Sequence, residues 1–284
     1  MVKVINNVQS LRAELGERKR AGESIGFVPT MGALHEGHLS LVRKAHAHAD
    51  TVVVSIFVNP TQFAPDEDFD TYPRTVEADT AKLEAVGVDI IYLPTVESLY
   101  PNGAVISIKG EPSLTQNLCA KYRPGFFDGV ATVVSRLFAQ VQPDTAIFGE
   151  KDYQQLQVIK RMVADLALPI EIVGAPIARE ESGLALSSRN AYLSEEDRAI
   201  ALRLQQMLQQ VAAEVQSKPV TQVLGQAKAA LIAQGFRSVD YVELVDAQSL
   251  QPITDLNDSA RLLAAVWLGK TRLIDNIAVE PTHE

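Results

Sequence analysis

Two imidazoles three residues apart, His35 and His38, stand in the stretch Pro29-Thr30-Met31-Gly32-Ala33-Leu34-His35-Glu36-Gly37-His38. A neutral imidazole offers one N–H donor and a charged one offers two, so the pair suits phosphate oxygens. Lys151, in Gly149-Glu150-Lys151-Asp152, adds a cation, and Leu186-Ser187-Ser188-Arg189-Asn190 adds two hydroxyls and a guanidinium. Asn59 and Gln62, in Phe57-Val58-Asn59-Pro60-Thr61-Gln62-Phe63, and Gln155 are neutral amides, suited to hydroxyls and a carboxylate. This is equipment for phosphoryl or nucleotidyl transfer, in which positioning and charge stabilisation carry the rate.

Each motif has a rival meaning. Gly32 and Gly37 have the spacing of a phosphate-binding P-loop, but that loop needs Lys and then Ser or Thr where His38 and Leu39 stand. A zinc-protease motif spaces its histidines four apart, with the Glu next to the first of them, and no third ligand is evident near this pair. Asn59-Pro60 alone reads as a turn, and Asp152 alone as a helix cap. Ser187 and Ser188 could cap the next helix, although Ser194 with Asp197 three residues on suits that role better. No Ser-His-Asp order, Cys-His pair or CxxC metal site stands out.

The elements that must carry these groups follow from hydrophobic periodicity. Strands are predicted over Ile25–Val28, Thr51–Phe57, Val88–Leu93, Thr145–Phe148 and Ile170–Val173, from short branched apolar runs closed by Gly, Pro or polar residues. Helices are predicted over 8–21, after His38 from Leu39, Leu41, Val42, Ala45 and Ala49, and over 76–86, 128–141 and 153–166. The branched residues of 105–108 read as one more strand. Strands alternating with helices imply an α/β fold, a doubly wound parallel sheet covered on both faces. After Pro176 two helices and then three strands, 239–245, 261–268 and 271–279, imply a second, smaller α+β domain. The division is therefore 1–176 and 177–284. In an open parallel sheet ligands bind beyond the carboxyl ends of the strands. The first, second and fourth strands lead into the His, Asn/Gln and Lys motifs, and the Ser-Ser-Arg motif follows the fifth. The strand, glycine turn and helix around Gly32 and Gly37 would aim free backbone N–H groups and a positive helix end at an anion.

The 284 residues carry a net charge of −9, with 46% hydrophobic and 21% charged residues. That excludes a disordered chain and argues against a generic nucleic-acid or anionic-membrane binder. The single cysteine, Cys119, excludes an internal disulfide and fits a reducing cytoplasm as a small buried residue. The opening MVKVINNVQSLRAEL has no apolar signal segment, and no run approaches membrane-spanning length, so a cytoplasmic location is expected.

The His-x-Gly-His element is similar to that of the nucleotidylyltransferase and class I aminoacyl-tRNA synthetase superfamily. Its full wording, with FVNPTQF, Asp70-Thr71-Tyr72-Pro73-Arg74, Gly149-Glu150-Lys151-Asp152-Tyr153-Gln154-Gln155 and Leu186-Ser187-Ser188-Arg189-Asn190 in that order, resembles the pantothenate synthetase (pantoate–β-alanine ligase) family over nearly the whole chain. The resemblance implies a Rossmann-like first domain binding nucleotide and pantoate, with the second domain covering the site. It implies ATP along Met31, Gly32, Ala33, Leu34, His35, Glu36, Gly37 and His38, along Gly149, Glu150, Lys151 and Asp152, and at Ala178, Leu186, Ser187, Ser188 and Arg189. Pantoate and β-alanine fall to Gln62, Gln155 and Asn59, and catalysis to His38, His35 and Lys151. Mg2+ would be held mainly through the ATP phosphates, with no protein metal site.

The implied reaction is condensation of pantoate with β-alanine through a pantoyl adenylate, releasing AMP and pyrophosphate, by a cytoplasmic homodimer with no nucleic-acid or membrane partner. A mobile cover over the intermediate is expected from the Ala64–Tyr72 loop or the second domain. Phe126, in Arg123-Pro124-Gly125-Phe126-Phe127, stands where many members carry His. Three rivals remain: a nucleotidylyltransferase with a phosphate acceptor, a nucleotide-binding regulatory module, and a metal hydrolase. The amides Asn59, Gln62 and Gln155 argue against the first, since a phosphate acceptor calls for more Arg or Lys.

Overall fold

Buried β-branched and apolar residues build the central sheet of the computed structural model, which describes residues 2–64 and 67–282. Pro65 and Asp66, within the Ala64–Tyr72 loop expected to form a cover, lie outside the described residues. Contact clustering divides the chain into two compact units.

The first unit comprises Met1–Glu111, Arg123–Glu150 and Gln155–Pro176. Its six strands are β1 (Lys3–Ile5), β2 (Ile25–Thr30), β3 (Thr51–Ile56), β4 (Ile90–Tyr92), β5 (Thr145–Gly149) and β6 (Glu171–Ala175). They lie in the order β1-β4-β3-β2-β5-β6, every pairing parallel. Apart from the edge strand β1, this is the doubly wound order in which the sheet reverses direction beside its first strand. The reversal falls between β2 and β5.

The helices of this unit are α1 (Val8–Arg20), α2 (Glu36–His46), α3 (Val76–Ala85), the short α4 (Val96–Leu99), and, beyond two turns assigned to the other unit, α7 (Phe126–Val141) and α8 (Tyr153–Asp165). Period-2 alternation sorts the strand residues. Val28, Val52, Val54, Ile91 and Ile147 face Val42 and Ala45 of α2 and Leu83 of α3. Phe27 and Phe148 face the other way and meet Phe138 of α7 edge to face, each with ring centroids 6.3 Å apart.

β2 pairs with β3 through Thr30 but with β5 only at Gly26 and Phe27. Pro29, which has no N–H for a ladder, stands two residues past the end of that second pairing. The carboxyl ends of β2 and β5 therefore diverge where the sheet reverses.

The second unit comprises Pro112–Tyr122, Lys151–Gln154 and Ile177–Glu284. Three antiparallel strands, β7 (Ser238–Asp246), β8 (Ala260–Leu268) and β9 (Thr271–Val279), pack one face on α9 (Glu195–Glu214) and α10 (Val220–Ala233). Even-numbered Leu262, Ala264 and Val266 of β8 join that core. The odd-numbered face carries Arg261, Leu263 and Trp267, with Asn276 of β9 paired to Leu263 and Arg272 to Trp267. This second face is covered by the two detached segments, which contain α5 (Pro112–Thr115) and α6 (Cys119–Tyr122). The units thus change over at Pro176, and the segments that join the second unit ahead of that point are the ones its sheet needs.

Two details depart from periodicity. β1 is a three-residue edge strand too short to show a pattern. No strand forms at 105–108: Val105 and Ile106 are 80% and 77% exposed, with no neighbouring strand among the described residues to complete a ladder. Ser194 caps α9 as expected, its Oγ accepting from Asp197 N–H at 3.1 Å.

Candidate active site

The turn after β2 is built from within. Gly32 has φ +85° and Ala33 φ 51°, two successive left-handed residues. A Cβ on Gly32 would lie 3.0 Å from Ile56 Cγ2 and 3.2 Å from Asp79 Oδ2, so only glycine fits. Asp79, fully buried on α3, accepts from Leu34 N–H at 2.8 Å, Ala33 N–H at 2.9 Å and Thr75 Oγ1 at 3.1 Å. Lys82 Nζ, one turn on, donates to Leu34 O at 2.6 Å. α3 therefore clamps the turn by both of its backbone polarities.

The imidazoles are locked by the helix they introduce. His35 is the N-cap of α2, its Nδ1 accepting from Gly37 N–H at 3.1 Å, while His38 Nδ1 accepts from His35 N–H at 3.3 Å. This is a capping box made of two histidines rather than Ser and Glu. Because both Nδ1 atoms accept, both neutral rings carry their proton on Nε2. The rings lie 4.2 Å apart, tilted by 43°.

One expectation is corrected here. The amides of Gly32, Ala33, Leu34, His35, Gly37 and His38 already bond to Thr30 Oγ1, Asp79, His38, His35 Nδ1 and His35 O. The turn is not a cradle of free N–H groups. What it presents at the positive end of α2 is the imidazole edges.

Asn59, 1% exposed, spends its whole amide internally. Its Oδ1 accepts from Tyr100 OH at 2.8 Å, Thr61 Oγ1 at 3.0 Å and Thr61 N–H at 3.3 Å. Its Nδ2 donates to Gln62 Oε1 at 3.1 Å and Gly129 O at 3.3 Å. Burial pushes the Tyr100 phenol above its ordinary value, against the opposing Thr61 hydrogen bond and Arg136 charge, so it stays a donor. Gln62 is thereby oriented: its oxygen takes the Asn59 N–H, and its Nε2 points to Met31 Sδ at 3.1 Å.

Gly129 lets this happen. A Cβ there would stand 2.4 Å from Thr61 O and 2.9 Å from Gln62 Cα. Gln155, half-buried in the first turn of α8, has no intramolecular partner for its amide among the described residues. Gln154, its neighbour, is buried and structural, bonding Cys119 N–H at 2.9 Å and the carbonyls of Leu114 and Asn117 at 2.8 and 2.9 Å. Phe126 packs rather than presents a polar edge: Arg123 stacks on it at 3.6 Å and chelates Glu67 at 2.6 and 2.7 Å.

Gly149 ends the first unit's strand β5 and Glu150, also of that unit, opens a 3-10 turn whose remaining residues, Lys151 and Asp152, belong to the second unit. Lys151 Nζ lies 3.7 Å from Asp152 Oδ2. Also in the second unit, Leu186 N–H bonds to Ala178 O at 2.9 Å, setting those two side by side. Arg179, next to Ala178, is anchored by a bidentate pair to the buried Asp275 at 2.7 and 2.8 Å. Ser187 opens a 3-10 turn over Ser188–Tyr192, its Oγ accepting from Arg189 N–H at 3.3 Å. Cys119 is buried, its Sγ 3.0 Å from Tyr241 OH and 3.5 Å from the Arg272 guanidinium. Among the described residues no group of three His, Cys, Asp or Glu side chains could hold a metal ion.

Asp79, Tyr100 and Gly129 were not singled out in the sequence, and only Gly129, a glycine inside an apolar helix, carried any signal. Asp79→Asn is expected to cost about 1.5–3 kcal/mol of stability, because an NH2 must face a backbone N–H. The same change should slow turnover by misplacing the histidines. Denaturant unfolding and initial rates measured on one preparation check both; a variant as stable as the parent would overturn the clamp.

An open parallel sheet reversed at β2 and β5, with donor-rich turns beyond its carboxyl ends, defines a doubly wound α/β enzyme. The pantoate-β-alanine ligase family model matches residues 3–278. Pantothenate synthetase of Hyphomonas neptunium is 53% identical over 284 residues, 98% of this chain and 97% of the relative. The crystal structure of pantothenate synthetase from Thermus thermophilus superposes with a TM-score of 0.92 at 47% identity, covering 99% of this chain and 100% of that one. The structure of pantoate-β-alanine ligase from Francisella tularensis complexed with β-γ ATP and β-alanine has a TM-score of 0.82 at 35% identity, covering 98% and 97%. The chain belongs to the pantoate–β-alanine ligase family, and it is a ligase.

Proposed function

We propose that the chain condenses pantoate with β-alanine, using ATP, through a pantoyl adenylate. The observation that carries this reading is the family match over residues 3–278. It is supported by the family structure described with ATP and β-alanine. The pantoate carboxylate attacks the α-phosphorus, and pyrophosphate leaves. The β-alanine amine then attacks the acyl carbon and loses a proton to solvent, and AMP leaves as the acyl C–O bond breaks, taking that bond's electron pair.

The residues divide as their chemistry suggests. Nε2–H of His35 and of His38, with the Lys151 ammonium, would neutralise charge building on the α- and β-phosphate oxygens. The turn from Met31 to Leu34, Glu36 and Gly37, with Gly149, Glu150, Asp152, Ala178 and Leu186, would line the nucleotide. Ser187, Ser188 and Arg189 are assigned to its distal phosphates. Gln62 and Gln155 would take the hydroxyls and carboxylate of pantoate, and Asn59 acts behind Gln62 by setting its amide. The donor set of imidazoles, hydroxyls and cations fits a polyphosphate. Mg2+, held through the phosphates, would supply further charge neutralisation, as suits a small hard cation that keeps several waters.

A cytoplasmic homodimer is the remaining part of this reading. No helix among the described residues is long and apolar enough to cross a membrane.

Product analysis with ATP, magnesium and pantoate, with and without β-alanine, tests the reaction. AMP and pyrophosphate formed in step with pantothenate are expected. ADP and phosphate would overturn the adenylate route.

A further inference from the structure

We infer that Asn276 is a positioning residue for Lys151, holding the lysine to the second unit by its backbone; the inference rests on the assignment of Lys151 to adenylation made above. Asn276 is 1% exposed on the face of β9 turned away from α9 and α10. Its Nδ2 donates to Lys151 O at 3.0 Å, and its Oδ1 accepts from Arg261 Nε at 2.6 Å. Its amide orientation is forced, because a guanidinium can only donate and a carbonyl can only accept. Its own N–H bonds to Asp275 Oδ1 at 2.7 Å, and Asp275 is the anchor of Arg179.

The same relay secures the residues that follow. The Arg261 guanidinium lies over the Tyr153 ring, 4.2 Å from its centroid, and Tyr153 OH bonds to Ala247 O at 2.9 Å. Lys151–Tyr153 is therefore gripped at a carbonyl, a ring face and a hydroxyl by groups of the β7–β9 sheet and the turn after it. A buried Asn on β9 hydrogen-bonded to a buried Arg on β8 adds little to packing alone. Their common product is a fixed backbone under the lysine. The contact also explains why a segment directly after β5 clusters with the second unit.

A merely structural hydrogen bond would lower stability without acting through Lys151, and a double-mutant cycle separates the two. Asn276→Asp keeps the shape and the acceptor for Arg261 but removes the donor to Lys151 O. Asn276→Ala removes the donor without a buried charge, and the acceptor for Arg261 with it, should the aspartate variant fail to fold. Pyrophosphate release at saturating substrates is expected to fall about 10–100-fold, the cost of a misplacement near 1 Å. The pantoate KM should stay within about twofold, and in a Lys151→Ala background the further loss should shrink below about twofold, since the two changes then share one mechanism. Equal losses in both backgrounds, or a raised KM with kcat unchanged, would overturn the inference. If Lys151→Ala alone left turnover intact, the assignment of Lys151 itself would fall first, and the positioning role with it.

Discussion

His38→Ala is expected to lower the rate of adenylation about 10²–10³-fold, the usual cost of removing one donor aimed at developing charge. The same loss is expected for Lys151→Ala. For His38, the proposed role in adenylation and the observed capping contact differ in expected magnitude, which separates them. Its Nδ1 closes the capping box by accepting from His35 N–H, and losing a cap costs about 1 kcal/mol of stability. A rate loss of 10²–10³ corresponds to about 2.7–4 kcal/mol of barrier. A frayed helix start alone therefore falls short of the expected rate effect. Pyrophosphate release and thermal unfolding, measured together, check the claim. A variant that lost stability but kept its turnover would reduce His38 to a cap.

Gly129→Ala is the second change expected to be severe, although the residue offers no functional group. The added methyl would sit 2.4 Å from the Thr61 carbonyl oxygen, 2.8 Å from its carbon and 2.9 Å from Gln62 Cα. All three are backbone atoms, so no side-chain rotation relieves the clash. Overpacking of this kind costs about 1–3 kcal/mol. The loop that yields carries Gln62, and the shift also strains the Asn59 bond to Gly129 O. Displacing Gln62 by about 1 Å is expected to reduce pantoate-dependent kcat/KM on the order of 10²-fold. The KM for ATP should change far less. Pantoate kinetics equal to those of the parent would mean that the loop does not place Gln62 for substrate.

The sheet was legible because its strands are short, branched, continuously apolar runs punctuated by Gly and Pro, the mark of a sheet buried on both faces. The motifs proposed for the site stood out only as residue types beyond strand ends. Their surroundings were not legible. Asp79 sits in the first turn of a helix, where an acidic residue is ordinary, and only the folded turn shows that it accepts from Ala33 and Leu34. That clamp is also why the expectation of free amides failed: hydrogen-bond partners 45 and 46 residues away leave no local pattern. Asn59 read as a substrate ligand by type, yet its amide is spent on Tyr100, Thr61, Gln62 and Gly129. The strand expected at 105–108 failed for the converse reason. β-Branched residues favour a strand only where a neighbour completes the ladder.

The sheet of the second unit is finished by peptide that comes before the change-over at Pro176. A gene cut at that point would leave the downstream half without part of its interior. The upstream piece would keep Lys151, Tyr153 and Cys119 without Asn276, Arg261 or Tyr241, and the downstream piece would expose one whole face of β7–β9. The upstream half of this ligase thus carries peptide that belongs to the other unit, and a cut at Pro176 does not separate the two. Fusions, circular permutations and split reporters built on it should keep residues 112–122 and 151–154 covalently joined to the strands they cover.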